Sequence, residues 1–151
     1  PEQDQALQSI HSAIKQDGQA QLRLVPKGER KSLEDVLEET RLSSRWNGCF
    51  ENFRDPYLHL TPEQYADLAE RNGFEVRHTR VAAKAWDFET RAAFLTFGSV
   101  TFVEWTQHLP EAERPAFAMD VLDRYQLVAA DAPGEENFFR FYQMDITLSP
   151  R

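Results

Sequence analysis

Residues Leu60 to Val81 read L-T-P-E-Q-Y-A-D-L-A-E-R-N-G-F-E-V-R-H-T-R-V. Thr61 is placed as a helix N-cap, with Pro62 at the first helical position and Gln64 three residues after the cap, the spacing of a capping box. Tyr65, Leu68 and Ala69 share one face at helical period. Asn72-Gly73 stops the helix, because glycine accepts the left-handed conformation that ends it. From Phe74 the pattern alternates in the manner of a strand, with Phe74, Val76, His78 and Arg80 against Glu75, Arg77, Thr79 and Val81. Helix, glycine turn and strand together make one side of an α/β layer.

The unit recurs nearer the start of the chain. Leu7, Ile10, His11 and Ile14 form an apolar helical face, Lys15-Gln16-Asp17-Gly18 ends it, and Gln19 to Val25 alternates with Ala20, Leu22 and Leu24 on one side. Between the two units, Ser32 reads as the cap of another helix with Asp35 at its N3 position. Leu33, Val36, Leu37 and Thr40 form the apolar side of that helix, and Glu34, Asp35, Glu38 and Glu39 a face turned to water. Residues 42–59 have no clean period and are dense in rings and turn formers, as in lids and binding loops.

Beyond the second unit, an apolar stretch runs through Trp86, Phe88, Phe94, Phe97, Phe102 and Trp105, with Asp87 as a helix cap and Gly98-Ser99 as a break or kink. His108-Leu109-Pro110 is a stop. A further helix carries Phe117, Val121, Leu122, Tyr125 and Val128 in register. Asn137 to Leu148 alternates again, with Phe138, Arg140, Tyr142, Met144, Ile146 and Leu148 on one face of a last strand.

At 151 residues, 41% hydrophobic and 28% charged, the chain is expected to form one soluble domain, 1–151, with a sizeable core. A net charge of −8 repels phosphate backbones, so no nucleic-acid partner is expected, and the basic residues Lys27, Arg30 and Lys31 read as a solvated loop. No run of roughly 18 apolar residues is present, so no membrane span is expected. The single cysteine, Cys49, rules out an internal disulfide and fits a reducing, cytoplasmic setting.

The two helix–Gly–strand segments, I-x-x-A-I-K-Q-D-G-Q-A-Q-L-R-L and L-T-P-E-Q-Y-A-D-L-A-E-R-N-G-F-E-V, in this order, resemble the C-terminal half of class I S-adenosylmethionine-dependent methyltransferases. The later "F…LP…R…F" pattern is similar to small-acid enzymes of the trans-aconitate and juvenile-hormone-acid type. The resemblance covers roughly Asp4 to Thr147. It implies an α/β fold, a partial Rossmann-like sheet of fifth, seventh and sixth strands, mixed parallel and antiparallel, with flanking helices and a helical cap. The last strand would run antiparallel between the other two.

The family binds its cofactor at a glycine-rich turn after its first strand, where backbone approaches the ligand closely. All six glycines here, Gly18, Gly28, Gly48, Gly73, Gly98 and Gly134, are isolated, and the chain opens Pro1-Glu2-Gln3 without Met. The expectation is therefore a C-terminal piece of a methyltransferase that lacks the cofactor-binding half. S-adenosylmethionine would serve the intact parent and would not be held by this chain, and the chain alone would be inactive.

Candidate chemistry is sparse. His11, His59, His78 and His108 show no metal-ligand spacing. Cys49 in W-N-G-C-F reads as a buried, inert thiol, and the serines lack a nucleophile-elbow setting. Acidic pairs such as Glu38-Glu39 and Glu135-Glu136 read as solvated faces, and Arg45 and His59 as surface groups rather than carboxylate ligands. No catalytic residue is assigned. The aromatic set is the best candidate for small-molecule contact: Trp46, Phe50 and Tyr57 in the long connection, with Trp86, Phe97 and Trp105 after the second strand. By resemblance these regions cap the substrate side, the substrate being a small molecule such as a carboxylate. The rival expectation is a non-catalytic module that dimerises through an unpaired sheet edge at residues 19–25.

Overall fold

The computed structural model describes residues 2–151. In chain order its elements are α1 (Glu2–Ala13), β1 (Ala20–Leu24), α2 (Leu33–Arg41), α3 (Pro62–Arg71), β2 (Phe74–Asp87), α4 (Arg91–Thr101), α5 (Val103–Thr106), α6 (Arg114–Ala129) and β3 (Phe138–Pro150), with short 3-10 turns at Asn47–Cys49 and Glu111–Glu113. They fall into two compact units. The first comprises the chain up to Gly28, His59–Lys84 and Phe141–Arg151; the second comprises Glu29–Leu58 and Ala85–Arg140.

In the first unit the decisive stretch folds as its residues dictate. The Thr61 hydroxyl accepts from the Gln64 amide at 3.2 Å, and the Gln64 side chain accepts from the Thr61 amide at 3.0 Å. Both ends of the capping box are thus closed at the start of α3. At the other end Gly73 has φ +84°, and a Cβ there would sit 2.8 Å from His11 Nε2. Glycine is required twice over, by conformation and by space. The His11 ring meets Phe74 edge-on at 5.1 Å, and the Asn72 amide donates to Asp4 at 2.8 Å, so α1 is pinned to the end of α3.

The sheet order is β1-β3-β2. β1 lies antiparallel to β3, from Ala20 opposite Leu148 to Leu24 opposite Met144. On the other side of β3, Arg151 N donates to Gly73 O at 2.9 Å and Phe88 N donates to Asn137 O at 3.1 Å. β2 is therefore antiparallel to β3 as well. This corrects the mixed parallel and antiparallel sheet expected from the sequence: every adjacent pair is antiparallel. β1 and β2 do point the same way, but the crossover between them skips one position, and β3 fills it in the return direction.

One face of this sheet is buried. Met144, Ile146 and Leu148 of β3 and Phe74 of β2 join Leu7 of α1 and Tyr65, Leu68 and Ala69 of α3 in one core, with Ala20, Leu22 and Leu24 packed against it. The opposite face is polar. Arg23 Nε donates to Asp145 Oδ1 at 2.7 Å there, and that hydrogen bond holds the Asp145 carboxyl below the usual carboxylate range. The alternation of β1 is that of a sheet covered on one side only.

The second unit is helical. Ser32 and Asp35 close a second capping box, at 2.9 and 3.0 Å, on α2. Leu33, Val36, Leu37 and Thr40 are buried, together with Phe94, Phe102, Trp105, Phe117, Val121, Leu122 and Tyr125 of the later helices. Three local expectations need correcting. β2 continues to Asp87 instead of ending near Val81, so Trp86 is a strand residue. The cap of α4 is Thr90, whose hydroxyl accepts from Ala93 N at 3.2 Å; Asp87 instead accepts from Glu89 N at 2.7 Å in an Asx turn. Gly98 does not break α4. It makes room for Phe102, whose ring would lie 2.8 Å from a Cβ at that position. Among the described residues no helix is long and apolar enough to cross a membrane.

Candidate ligand pocket of the second unit

The six aromatic residues singled out in the sequence all belong to the second unit, but they separate into three environments. Trp46 and Phe50 are buried at 2% and 4% exposure and pack on Phe117, Trp46 edge-on at 5.4 Å and Phe50 tilted at 5.6 Å. The Trp46 indole donates to Asp120 at 2.7 Å, and the Arg45 guanidinium lies 4.5 Å from the Trp46 ring. These residues form the packed interior.

Tyr57, Phe97 and Trp105 come together. Tyr57 stacks on Trp105 with centroids 5.5 Å apart and planes within 2°. With Phe102, Thr101 and Glu34 they line a pocket of about 130 Å³, to which Leu33 and Leu37 also contribute. Trp86 stands apart on β2, 63% exposed.

Trp105 is held by charge as well as packing. Its indole N–H donates to Glu38 Oε1 at 2.7 Å. Glu38 also receives the Arg41 guanidinium through both carboxylate oxygens, at 3.1 and 2.6 Å. Arg41 in turn lies 4.8 Å from the Phe53 ring. Glu38 therefore does not face water, as its charged run suggests; a buried indole N–H needs an acceptor, and this carboxylate supplies it. Glu34 is likewise half-buried at the pocket wall. Sequence reasoning missed both, although Glu34, Glu38 and Arg41 follow one another at helical spacing beside the buried Leu33 and Leu37.

A second depression of about 390 Å³, between α4, α5 and α6, is lined by Leu95, Ser99, Val103, Arg114 and Ala118 among others. Tyr125 closes the base of the unit. Its hydroxyl donates to Arg140 O at 2.9 Å and accepts from Arg140 N at 3.0 Å, and burial pushes its pKa up to about 12. Cys49 is a free thiol, partly buried against the core. Among the described residues no group of three or more His, Cys, Asp or Glu side chains is placed to hold a metal ion.

No family model matches the chain, and no curated protein matches it in sequence. Among solved structures it is similar to a "putative methyltransferase" from Bacillus halodurans C-125, with a TM-score of 0.54 and 14% identity over 98% of this chain. The chain spans 58% of the length of that neighbour. At this identity the likeness concerns the fold alone, and the fold is methyltransferase-like α/β.

Proposed function

We propose that this chain is the C-terminal part of a class I S-adenosylmethionine-dependent methyltransferase acting on a small molecule, to which it supplies the sheet edge and the substrate cap. The observation that carries the reading is the strand order. Two strands running the same way, each entered from a helix, have an antiparallel strand between them. That is the order in which the resemblance sets the fifth, seventh and sixth strands. The helical unit and its ring-lined pocket are consistent with the role of a cap, since small ligands are held by apolar walls with a few polar groups.

The residues of this chain do not fit the cofactor itself. A nucleoside cofactor needs a turn with free backbone N–H groups after a strand. After β1 the chain continues Val25-Pro26-Lys27; proline has no N–H, and the Lys27 N–H is taken by Leu60 O at 2.9 Å. After β2 the turn is closed on Asp87. The cofactor is therefore assigned to the remainder of the parent, and no catalytic step is assigned here. Calorimetric titration with S-adenosylhomocysteine tests this. Micromolar binding is expected for the full-length parent and none for this chain; a full-length protein that fails to bind refutes the reading.

A second reading is favoured by the place of β1. Among the described residues it has β3 on one side and no strand on the other. An open edge is a template for pairing with another copy, and a homodimer through residues 19–25 would extend the sheet across a two-fold axis. A clean monomer by light scattering at micromolar concentration rules this out.

A further inference from the structure

Glu34 is the one lining residue of the ring pocket that carries charge. Among the described residues it has no hydrogen-bond or ion-pair partner, while the cations near it in sequence are committed. Arg30 binds Val128 O at 2.6 Å and Asp131 at 2.9 Å, Lys31 pairs with Glu39, and Arg41 is held by Glu38. Glu34 lies in the first turn of α2, where the helix terminus favours negative charge, so the fold tolerates the carboxylate unpaired. The same pocket is lined by Tyr57, Phe97, Phe102 and Trp105. Ring faces attract cations, and an unpaired carboxylate beside them adds a full charge to the same preference. A ligand carboxylate would instead meet like charge at Glu34.

We infer that this pocket receives the ammonium head group of a small organic cation. Its volume of about 130 Å³ is below the roughly 300–1,000 Å³ of sites that engulf drug-sized molecules, so it takes a head group and leaves the rest of the ligand outside. As the substrate class of the proposed methyltransferase the inference rests on that reading; as a binding site it stands without it. It replaces the carboxylate suggested by family resemblance with a ligand of opposite charge.

Choline and its uncharged carbon isostere, neohexyl alcohol, are the probes. The readout is the Trp105 indole N–H in proton–nitrogen correlation spectra of the unaltered chain. Choline should shift that signal saturably and bind at least about fivefold more tightly than the alcohol. Glu34→Gln should abolish most of the preference, read as the ratio of the two affinities in that variant. Equal affinity for the two probes, no saturable shift with choline, or an undiminished preference in Glu34→Gln each overturns the inference. The comparison of probes on the unaltered chain decides the matter even if the variant folds poorly. Choline binding with no S-adenosylhomocysteine binding to the full-length protein would sink the methyltransferase reading alone. The reverse result would sink only the cationic ligand.

Discussion

Replacing Tyr125 by Phe removes one oxygen and leaves two backbone groups without their partner. The ring is fully buried in α6, and its hydroxyl both donates to and accepts from Arg140 at the start of β3. Each bond contributes about 0.5–1.5 kcal/mol net, and stranding the partly buried N–H and C=O adds to that, so the loss should be about 2–3 kcal/mol. Trp46, Trp86 and Trp105 all lie in the second unit, so tryptophan fluorescence during urea unfolding reports on that unit. With a denaturant slope of about 1–3 kcal/mol/M, the midpoint should fall by about 1 M or more. The pH profile gives an independent signature. The unfolded phenol ionises near its ordinary value of 10.0, and the folded one holds its proton to about 12. Between those values the native state binds more protons, so this contribution is fully present below pH 10 and is lost as the pH rises through about 12. Its size is roughly 2–3 kcal/mol. Tyr125→Phe should be flatter than the parent over that window. A variant within about 0.5 kcal/mol of the parent at neutral pH, with the same alkaline slope, would refute the argument.

Glu38→Ala strands the Trp105 indole N–H and the Arg41 guanidinium, and should cost about 2–4 kcal/mol in the same fluorescence assay. Glu38→Gln keeps an acceptor for the indole and should recover part of that loss. Gly73→Ala forces a side chain into φ +84° and against His11, and should cost about 1–2 kcal/mol, read as a lower midpoint in thermal melts followed by circular dichroism. Ile146→Ala opens a cavity in the core of the first unit and should cost about 2–5 kcal/mol, with amide exchange accelerated in β1 and β3.

Much of the fold was legible because local signals agreed with the tertiary outcome. The Thr61 and Ser32 caps, the Gly73 stop and the alternation of Met144, Ile146 and Leu148 each have a short-range cause, and each appears in the structure as read. The misreadings have a physical pattern too. Asp87 and Thr90 are both good cap residues, and only the pairing of β2 with β3, which carries the strand through Asp87, decides between them. Gly98 looked like a break because a rule that weighs glycine by type alone overlooks the Phe102 ring, one helical turn on, for which it makes room. The ring set was legible as a group but not in its division. Burial of Trp46, exposure of Trp86 and the pairing of Tyr57 with Trp105 depend on which helices meet. The acidic side of the pocket was missed because a run of Glu and Asp is usually solvated, and nothing local announces that Glu38 must satisfy an indole far along the chain.

The two units divide the residue types unequally. β1 and β2 point the same way, and β3 returns. The segment 29–58 follows the carboxyl end of β1, and the segment 85–140 joins the carboxyl end of β2 to the start of β3. The sheet offers little itself: its uncovered face carries Gln21, Arg23, Asp145 and Thr147 around a shallow depression, with Arg23 and Asp145 satisfying each other. In the first unit the apolar residues are spent on a single core against α1 and α3. The second unit concentrates the tryptophans and most of the phenylalanines, and leaves one carboxylate among them unpaired. That carboxylate lies in the first turn of α2, where the helix terminus tolerates negative charge, and rings line the same pocket. A cationic ligand would meet both the charge and the rings, and the Glu34→Gln comparison reads the share of the charge.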